Sequence, residues 1–140
     1  MNHSELIAQI RFQISRLKSL DKHHDFERLA LAFARARVAS NLVPATGPVS
    51  AGGDQGRDFE SFRTSEVSIP ISEKFAATSS DEDIVGACTL VSSSSLVRKI
   101  KSDLSKIFSN EPKPTRVLYF SGDGLPIARR HALEKHCLDT

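Results

Sequence analysis

Residues 84–91, IVGACTLV, form a short continuous apolar run that indicates the fold class of this chain. A run of this length without alternation is typical of a strand buried on both faces. An amphipathic helix is predicted over residues 95–108, with Ser95 as its N-cap, and a second buried strand, RVLYFS, follows at residues 116–121. A strand, a helix and a strand in this order predict two parallel neighbouring strands. We therefore expect an α/β protein with a mixed four-stranded sheet and helices on both of its faces.

The segments on either side of this unit supply the remaining elements. Residues 4–20 and 25–40 carry apolar residues at three- and four-residue steps, which predicts two helices, the first capped by Ser4. Residues 41–53 contain two prolines and three glycines and predict a loop. Two further strands are predicted over residues 56–64 and 67–75, and a closing helix over residues 127–138. The predicted order is α, α, β, β, β, α, β, α.

Bulk composition limits the class of protein without specifying a function. A chain of 140 residues fits one domain, and 39% apolar and 26% charged residues are ordinary for a globular protein. The net charge of +2 permits nucleic-acid binding but does not indicate it. The sequence has neither a signal peptide nor a run of about 18 apolar residues for a membrane span. Cys88 and Cys137 form no metal-binding pair, so a cytoplasmic protein with reduced thiols is predicted.

The segment richest in candidate chemistry is residues 52–63, GGDQGRDFESFR. Asp54 and Asp58 flank a glycine at the start of a predicted strand, and Asp58 and Glu60 should share one face of that strand. Carboxylate oxygens suit Mg²⁺, which usually takes one or two of them and keeps several waters. Glycine and aspartate are also the usual residues of a solvated turn. From the residues alone, both a metal site and a plain turn remain open.

A wider set of motifs carries a family resemblance. The pair Phe26-Glu27 lies near a helix start, GGD-x-GRD precedes a strand, and the segments ACTL and KIKSDL follow. Together they resemble the Mrr-like nuclease domains of the PD-(D/E)XK (restriction-endonuclease-like) superfamily, which occur at the N-termini of larger bacterial, often defence-associated proteins. The resemblance spans residues 25–121. It implies an αβββαβ core, preceded here by an extra helix in residues 1–20 and followed by a helix in residues 126–140.

The resemblance also implies an activity and a set of site residues. It implies a Mg²⁺- or Mn²⁺-dependent endonuclease that cleaves DNA, with Asp58 as the central metal ligand and Glu27 as the acid supplied by a helix. The family expects Glu or Gln, any residue, then Lys on the next strand, whereas this chain has Ala87-Cys88-Thr89. Glu60 is expected to replace the missing acid, and Lys99 or Lys101 the missing lysine. In addition, Arg98, Lys99 and Lys101 form a basic cluster that is expected to bind phosphate.

Other interpretations of the same residues stay open. Because the acid and lysine are missing from the strand, the chain could be a degenerate nuclease that only binds nucleic acid or a protein. The amphipathic first helix could instead pack against a partner or a second copy in a homodimer. Glu27 could be a first-turn acid favoured by the helix dipole, and His23-His24 is expected to precede or cap the second helix. Since the last helix lacks a clear cap, the chain is expected to be the N-terminal part of a longer protein.

Overall fold

The computed structural model of the protein describes residues 1–45, 56–62, 77–111 and 113–140. Four helices and four strands lie within these ranges, and the predicted α/β class is confirmed. In chain order the elements are α1 (His3–Ser19), α2 (His23–Arg37), β1 (Leu42–Pro44), β2 (Phe59–Ser61), β3 (Ile84–Thr89), α3 (Ser93–Ser109), β4 (Arg116–Ser121) and α4 (Ile127–Leu138).

The strands form one open, mixed sheet in the order β1-β2-β3-β4. β2 is antiparallel to both β1 and β3. β3 and β4 are parallel, and they pair in register from Ile84 opposite Arg116 to Thr89 opposite Ser121. The prediction that a crossover helix joins two parallel neighbouring strands is therefore confirmed.

β3 is buried on both faces because helices cover the sheet on each side. Ile84 packs in one core cluster with Ala30 and Ala34 of α2, together with Phe59. Val85 and Ala87 point the opposite way and pack in a second cluster with Ile107 of α3. Successive side chains of a strand alternate between its faces, so a strand covered on both sides needs an unbroken apolar sequence. This confirms the prediction made from IVGACTLV.

Helix starts differ from the prediction in detail. Asn2, not Ser4, caps α1: its side-chain Oδ1 accepts from the Glu5 backbone N at 2.9 Å, and Glu5 Oε2 accepts from the Asn2 backbone N at 2.9 Å. This reciprocal pair satisfies two backbone donors that the helix itself leaves without partners. Ser95 was predicted to cap α3 but lies inside it, because the helix begins earlier, at Ser93. There the Asp123 carboxylate, from the turn after β4, accepts from the Ser93 backbone N at 2.9 Å.

The first strand was missed because tertiary contacts create it. Residues 41–53 were predicted to be a loop, but Leu42–Pro44 pairs with β2 as β1. The fully buried Asn41 precedes it, and its side-chain amide donates to the carbonyls of Phe62 at 2.6 Å and Ser80 at 2.8 Å. Of the strand predicted over residues 56–64, the described part is extended only at Phe59–Ser61. The strand predicted over residues 67–75 lies outside the described residues.

β4 has the predicted bounds but is not the buried strand that was expected. Arg116 is exposed and the rest of the strand is half-buried. The physical reason is its place at the edge of the sheet, where β3 is its only neighbour among the described strands. An edge strand has less cover than a central one, even when its sequence is as apolar.

We predict that Gly86→Ala destabilises the fold, because a Cβ at position 86 would overlap the aromatic ring of Phe59, its partner across β2 and β3. Overpacking of a filled core costs about 1–3 kcal/mol. Chemical denaturation should show this loss in the free energy of unfolding. The matched control is Gly124→Ala, since no atom lies within 4 Å of a Cβ there; its effect should stay within about 0.5 kcal/mol. Equal stabilities for the two variants would contradict the packing argument.

Candidate functional site

A cavity of about 520 Å³ lies where β2 begins and β3 ends, between the first turn of α2 and one side of α3. A larger cavity of about 690 Å³ lies between α3, β4 and α4, but its wall is mostly apolar. The smaller cavity is the candidate site because it collects charged and titratable side chains from several elements. These are Lys18, Asp21, His23, His24, Glu27, Asp58, Cys88, Lys99, Asp103 and Lys106.

Asp58 is held at the end of the sheet by two backbone interactions. Its own N–H donates to the Gly86 carbonyl at 2.8 Å, and its Oδ2 accepts from the Cys88 backbone N at 2.6 Å. Both contacts follow from the antiparallel pairing of β2 with β3, which places the start of one strand beside the end of the other. The carboxylate is therefore fixed in direction before any ligand arrives.

Glu27 approaches the same cavity from α2. The Cys88 thiol lies close to both acids, and burial, then the charge of Asp58 and then that of Glu27 raise its pKa far above the ordinary range. Glu27, Asp58 and Cys88 line the same cavity, so the two carboxylates lie at the same end of the sheet. The structure thus brings together Asp58 and Glu27, as the sequence predicted. The raised pKa also keeps the thiol protonated, which suits a packing residue and not a nucleophile.

Lys99 enters the cavity from α3 as part of a hydrogen-bonded group. Its Nζ donates to Asp103 Oδ1 at 2.8 Å, and the Tyr119 hydroxyl of β4 donates to Asp103 Oδ2 at 2.6 Å. Asp103 is only 3% exposed, so its charge is compensated by both partners within the protein. Burial and then the hydrogen bond to Asp103 raise the pKa of Tyr119 beyond the ordinary range. Lys99 is thereby held at the cavity wall in a defined position.

Sequence reasoning missed Asp103, although one signal was present. The apolar stripe of α3 comprises Leu96, Ile100, Leu104 and Ile107, and Asp103 lies on the same buried side. A charged residue on the core side of a helix needs a partner there. The four-residue spacing from Lys99 supplies one such partner. Lys106 and Lys18 also line the cavity and were not predicted.

Three predicted site residues do not line the cavity: Glu60, Arg98 and Lys101. Glu60 was expected beside Asp58, but its Oε2 lies 3.2 Å from Nη1 of Arg57. The buried Arg57 in turn donates through Nη2 to the carbonyls of Ile107 at 3.4 Å and Asn110 at 3.3 Å, at the end of α3. The Glu60 carboxylate is therefore held by Arg57 near the end of α3. It does not take the place beside Asp58 that a metal ligand would need.

Arg98 and Lys101 are exposed on α3 outside the cavity, whereas Lys99 lines it. One residue of a helix corresponds to a rotation of about 100°, so neighbours of Lys99 on the chain face other directions. The structure therefore distinguishes the two candidate lysines in favour of Lys99. Asp54, which flanks the same glycine as Asp58 in the sequence, lies outside the described residues.

His23 and His24 were expected to precede or cap the second helix, but α2 begins at His23, so both histidines lie in its first turn, where they face the cavity. Lys22, at the cap position, makes no side-chain cap hydrogen bond. His24 Nδ1 lies 3.1 Å from Glu27 Oε2. The two histidines therefore belong to the environment of Glu27 and not only to the helix start.

Comparisons with protein-family models, curated proteins and solved structures find no match to this chain. The family resemblance thus rests on the motifs alone and stays a prediction. In the described part of the chain, no helix combines the length and the apolar character that crossing a membrane requires.

Tyr119 is the only tyrosine of a chain without tryptophan, which makes its ionisation directly measurable. We predict that phenolate absorbance in the native protein appears only well above the ordinary midpoint of about pH 10. In denaturant the midpoint should return to that value. Because the native pKa is raised, the stability that Tyr119 contributes is complete below about pH 10 and is lost as pH rises above it. A native midpoint at about pH 10 would contradict the Tyr119–Asp103 hydrogen bond.

Proposed function

We propose that this chain is a metal-dependent endonuclease domain that cleaves DNA phosphodiester bonds. The observation that carries the proposal is that Asp58, Glu27 and Lys99 line one cavity, although they come from three different segments of the chain. Two carboxylates and one cation around a cleft suit metal-dependent phosphodiester hydrolysis, because the carboxylates can hold a metal ion while that ion and the cation stabilise charge on the same phosphate.

The arrangement of elements supports the same proposal. From α2 onwards, the described elements follow the order α2, β1, β2, β3, α3, β4. This order is compatible with the αβββαβ core that the resemblance to Mrr-like nucleases implies, although the sequence placed the first two strands of that core at residues 56–64 and 67–75, and the second of these ranges lies outside the described residues. Proteins with one fold can have many different functions, so the residues of the site are stronger support for the proposal than the order of elements.

The donor set of the cavity fits a hard divalent ion. Mg²⁺ is usually held by one or two carboxylates and completes its shell with water and substrate oxygens. Asp58 and Glu27 are the two carboxylates that would hold it, and Asp58 is already oriented by the Cys88 backbone N. A bound divalent ion would act as a Lewis acid towards the phosphate and lower the pKa of a water molecule.

Lys99 would supply the positive charge that the family normally places on the strand. Its ammonium group is fixed by Asp103, and the Lys99 side chain stays 40% exposed, so it can still contact a phosphate. Negative charge that develops on the phosphate oxygens would be stabilised by this cation without reorganisation of the site. Tyr119 acts on Lys99 through Asp103 and is a positioning residue.

The exposed side of α3 offers a surface for the DNA backbone. Arg98 and Lys101 lie outside the cavity on the helix that carries Lys99. Lysine and arginine side chains that contact phosphates displace counterions, which makes binding strong at low salt and independent of sequence. In this proposal Arg98 and Lys101 bind the substrate, while Lys99 acts on the scissile phosphate.

Plasmid cleavage with Mg²⁺, Mn²⁺ or EDTA tests the proposal. We expect metal-dependent cleavage by the wild-type chain and its loss in Asp58→Asn, which keeps an oxygen to accept from the Cys88 backbone N but lacks the charge. Lys99→Ala should lower the rate at saturating DNA about 100-fold, by analogy with other preorganised charge donors. Lys101→Ala, on the same helix, should raise KM and leave kcat nearly unchanged. A fully active Asp58→Asn protein would refute the assignment.

One observation favours a second candidate function, a module that binds DNA without cleaving it. Ala87, Cys88 and Thr89 occupy the strand positions where the family has an acid and a lysine, and the charge of Lys99 is partly neutralised by Asp103 at 2.8 Å. Such a protein would bind DNA through its lysines and arginines and would need no divalent ion.

The second candidate predicts DNA binding in EDTA that weakens steeply with salt. Fluorescence anisotropy with labelled DNA should give a slope of log K against log salt of about −0.9 for each phosphate contacted. Arg98→Ala or Lys101→Ala should each make the slope shallower by about one contact. Product formation that requires metal and disappears in Asp58→Asn would exclude this function as the sole role of the chain.

A further inference from the structure

The first turn of α2 holds a compact group of metal-binding side chains. One ligand atom from each of His23, His24 and Glu27 lies within 4.8 Å of those of the other two. His24 Nδ1 is 3.1 Å from Glu27 Oε2, and the two imidazole centroids are 4.1 Å apart. All three side chains face the cavity that contains Asp58.

The local backbone explains why these side chains converge. Positions 23 and 27 are four residues apart and positions 24 and 27 are three apart, so both histidines lie near Glu27 on the helix surface. Asp21 ends the preceding turn with a φ of 54°, in the left-handed region. Its Oδ1 lies 3.9 Å from His23 Nδ1, which is beyond hydrogen-bond distance, so this carboxylate contributes negative charge near the imidazole and no fixed orientation.

We propose that His23, His24 and Glu27 bind a borderline divalent transition metal ion such as Zn²⁺. Two imidazole nitrogens and one carboxylate oxygen are a donor set that suits zinc and its neighbours, whereas Mg²⁺ favours oxygen ligands alone. Three protein ligands leave further positions of the ion for water or for a ligand in the cavity. The cavity opens onto Asp58, so a ligand on the ion would lie beside the second carboxylate.

This inference does not depend on nuclease activity, because metal binding by the free protein needs no substrate. It does bear on the nuclease proposal through Glu27, the residue that the two sites share. An ion bound by the histidines would occupy the position from which Glu27 could otherwise reach Mg²⁺. The site would then favour ions that bind imidazole well, such as Zn²⁺, whereas the family resemblance implies Mg²⁺ or Mn²⁺.

Calorimetric titration of the full chain with Zn²⁺ tests the site. We expect one ion per chain, with affinity lowered at least about tenfold in His24→Ala and in Glu27→Gln, since even indirect partners of metal ligands contribute about 10- to 100-fold. His131→Ala removes an exposed histidine of α4 and is the matched control. Cys88→Ser tests whether the nearby thiol takes part. Both controls should bind as the wild type does.

The near-ultraviolet absorption of bound Co²⁺ gives a second readout, because thiolate ligands produce charge-transfer bands there that imidazole and carboxylate ligands do not. Unchanged affinity in His24→Ala, or loss of binding in Cys88→Ser, would overturn the proposal. Failure of the nuclease proposal has a different signature: wild-type protein that binds Zn²⁺ normally but cleaves no DNA with any metal. All the substituted histidines are exposed, and circular dichroism of each variant confirms that loss of binding is not loss of fold.

Discussion

Burial of β3 on both faces is the constraint on which the other elements depend. Its side chains point alternately to α2 and to α3, so the two helices must lie on opposite sides of the sheet. Because the sheet lies between α2 and α3, it separates the charged side chains of the two helices along most of its length. Only beyond the end of β3 can Glu27 from one side approach Lys99 and Asp103 from the other. The position of the cavity is therefore a direct result of how the core is covered.

The same strand end determines how Asp58 is presented. β2 is short and begins beside Gly86 and Ala87, so the backbone N–H of Cys88 is available to the Asp58 side chain. The family resemblance would place an acid and a lysine on this part of β3, but small side chains stand there. In our proposal α3 supplies the cation in their place, and a buried carboxylate with a tyrosine holds it. The positive charge at the site would then come from α3 and not from β3, at the same cavity.

α1 contributes only Lys18 to the wall of this cavity. None of its residues, all of which the structure describes, is buried, and large apolar side chains such as Leu6, Ile10 and Phe12 are about half exposed. An amphipathic helix normally directs its apolar side towards a core. The hypothesis that α1 packs against a second copy or a partner rests on this exposure and stays a prediction. The expected cytoplasmic location and longer parent protein stay predictions as well.

The sequence by itself determined the elements whose pattern is local. The apolar run IVGACTLV, the three- and four-residue steps of the helices and the strand-helix-strand order predicted β3, β4, the four helices and the parallel pair. Elements of this kind depend on periodicity and spacing, which are readable within one segment of chain. Asp58, Glu27 and Lys99 were expected at the site because of the family resemblance instead.

Only the tertiary structure decided which candidates meet. β1 exists because Asn41 and β2 hold it, and Glu60 leaves the site because a buried arginine binds its carboxylate. Lys99 and Lys101 looked equivalent in sequence, but the rotation of α3 against the sheet places only Lys99 at the cavity. The part that Asp103 plays at the site follows from its hydrogen bonds to Lys99 and Tyr119, which only the tertiary structure shows. These outcomes depend on contacts between residues distant in sequence, whose energies no local pattern contains.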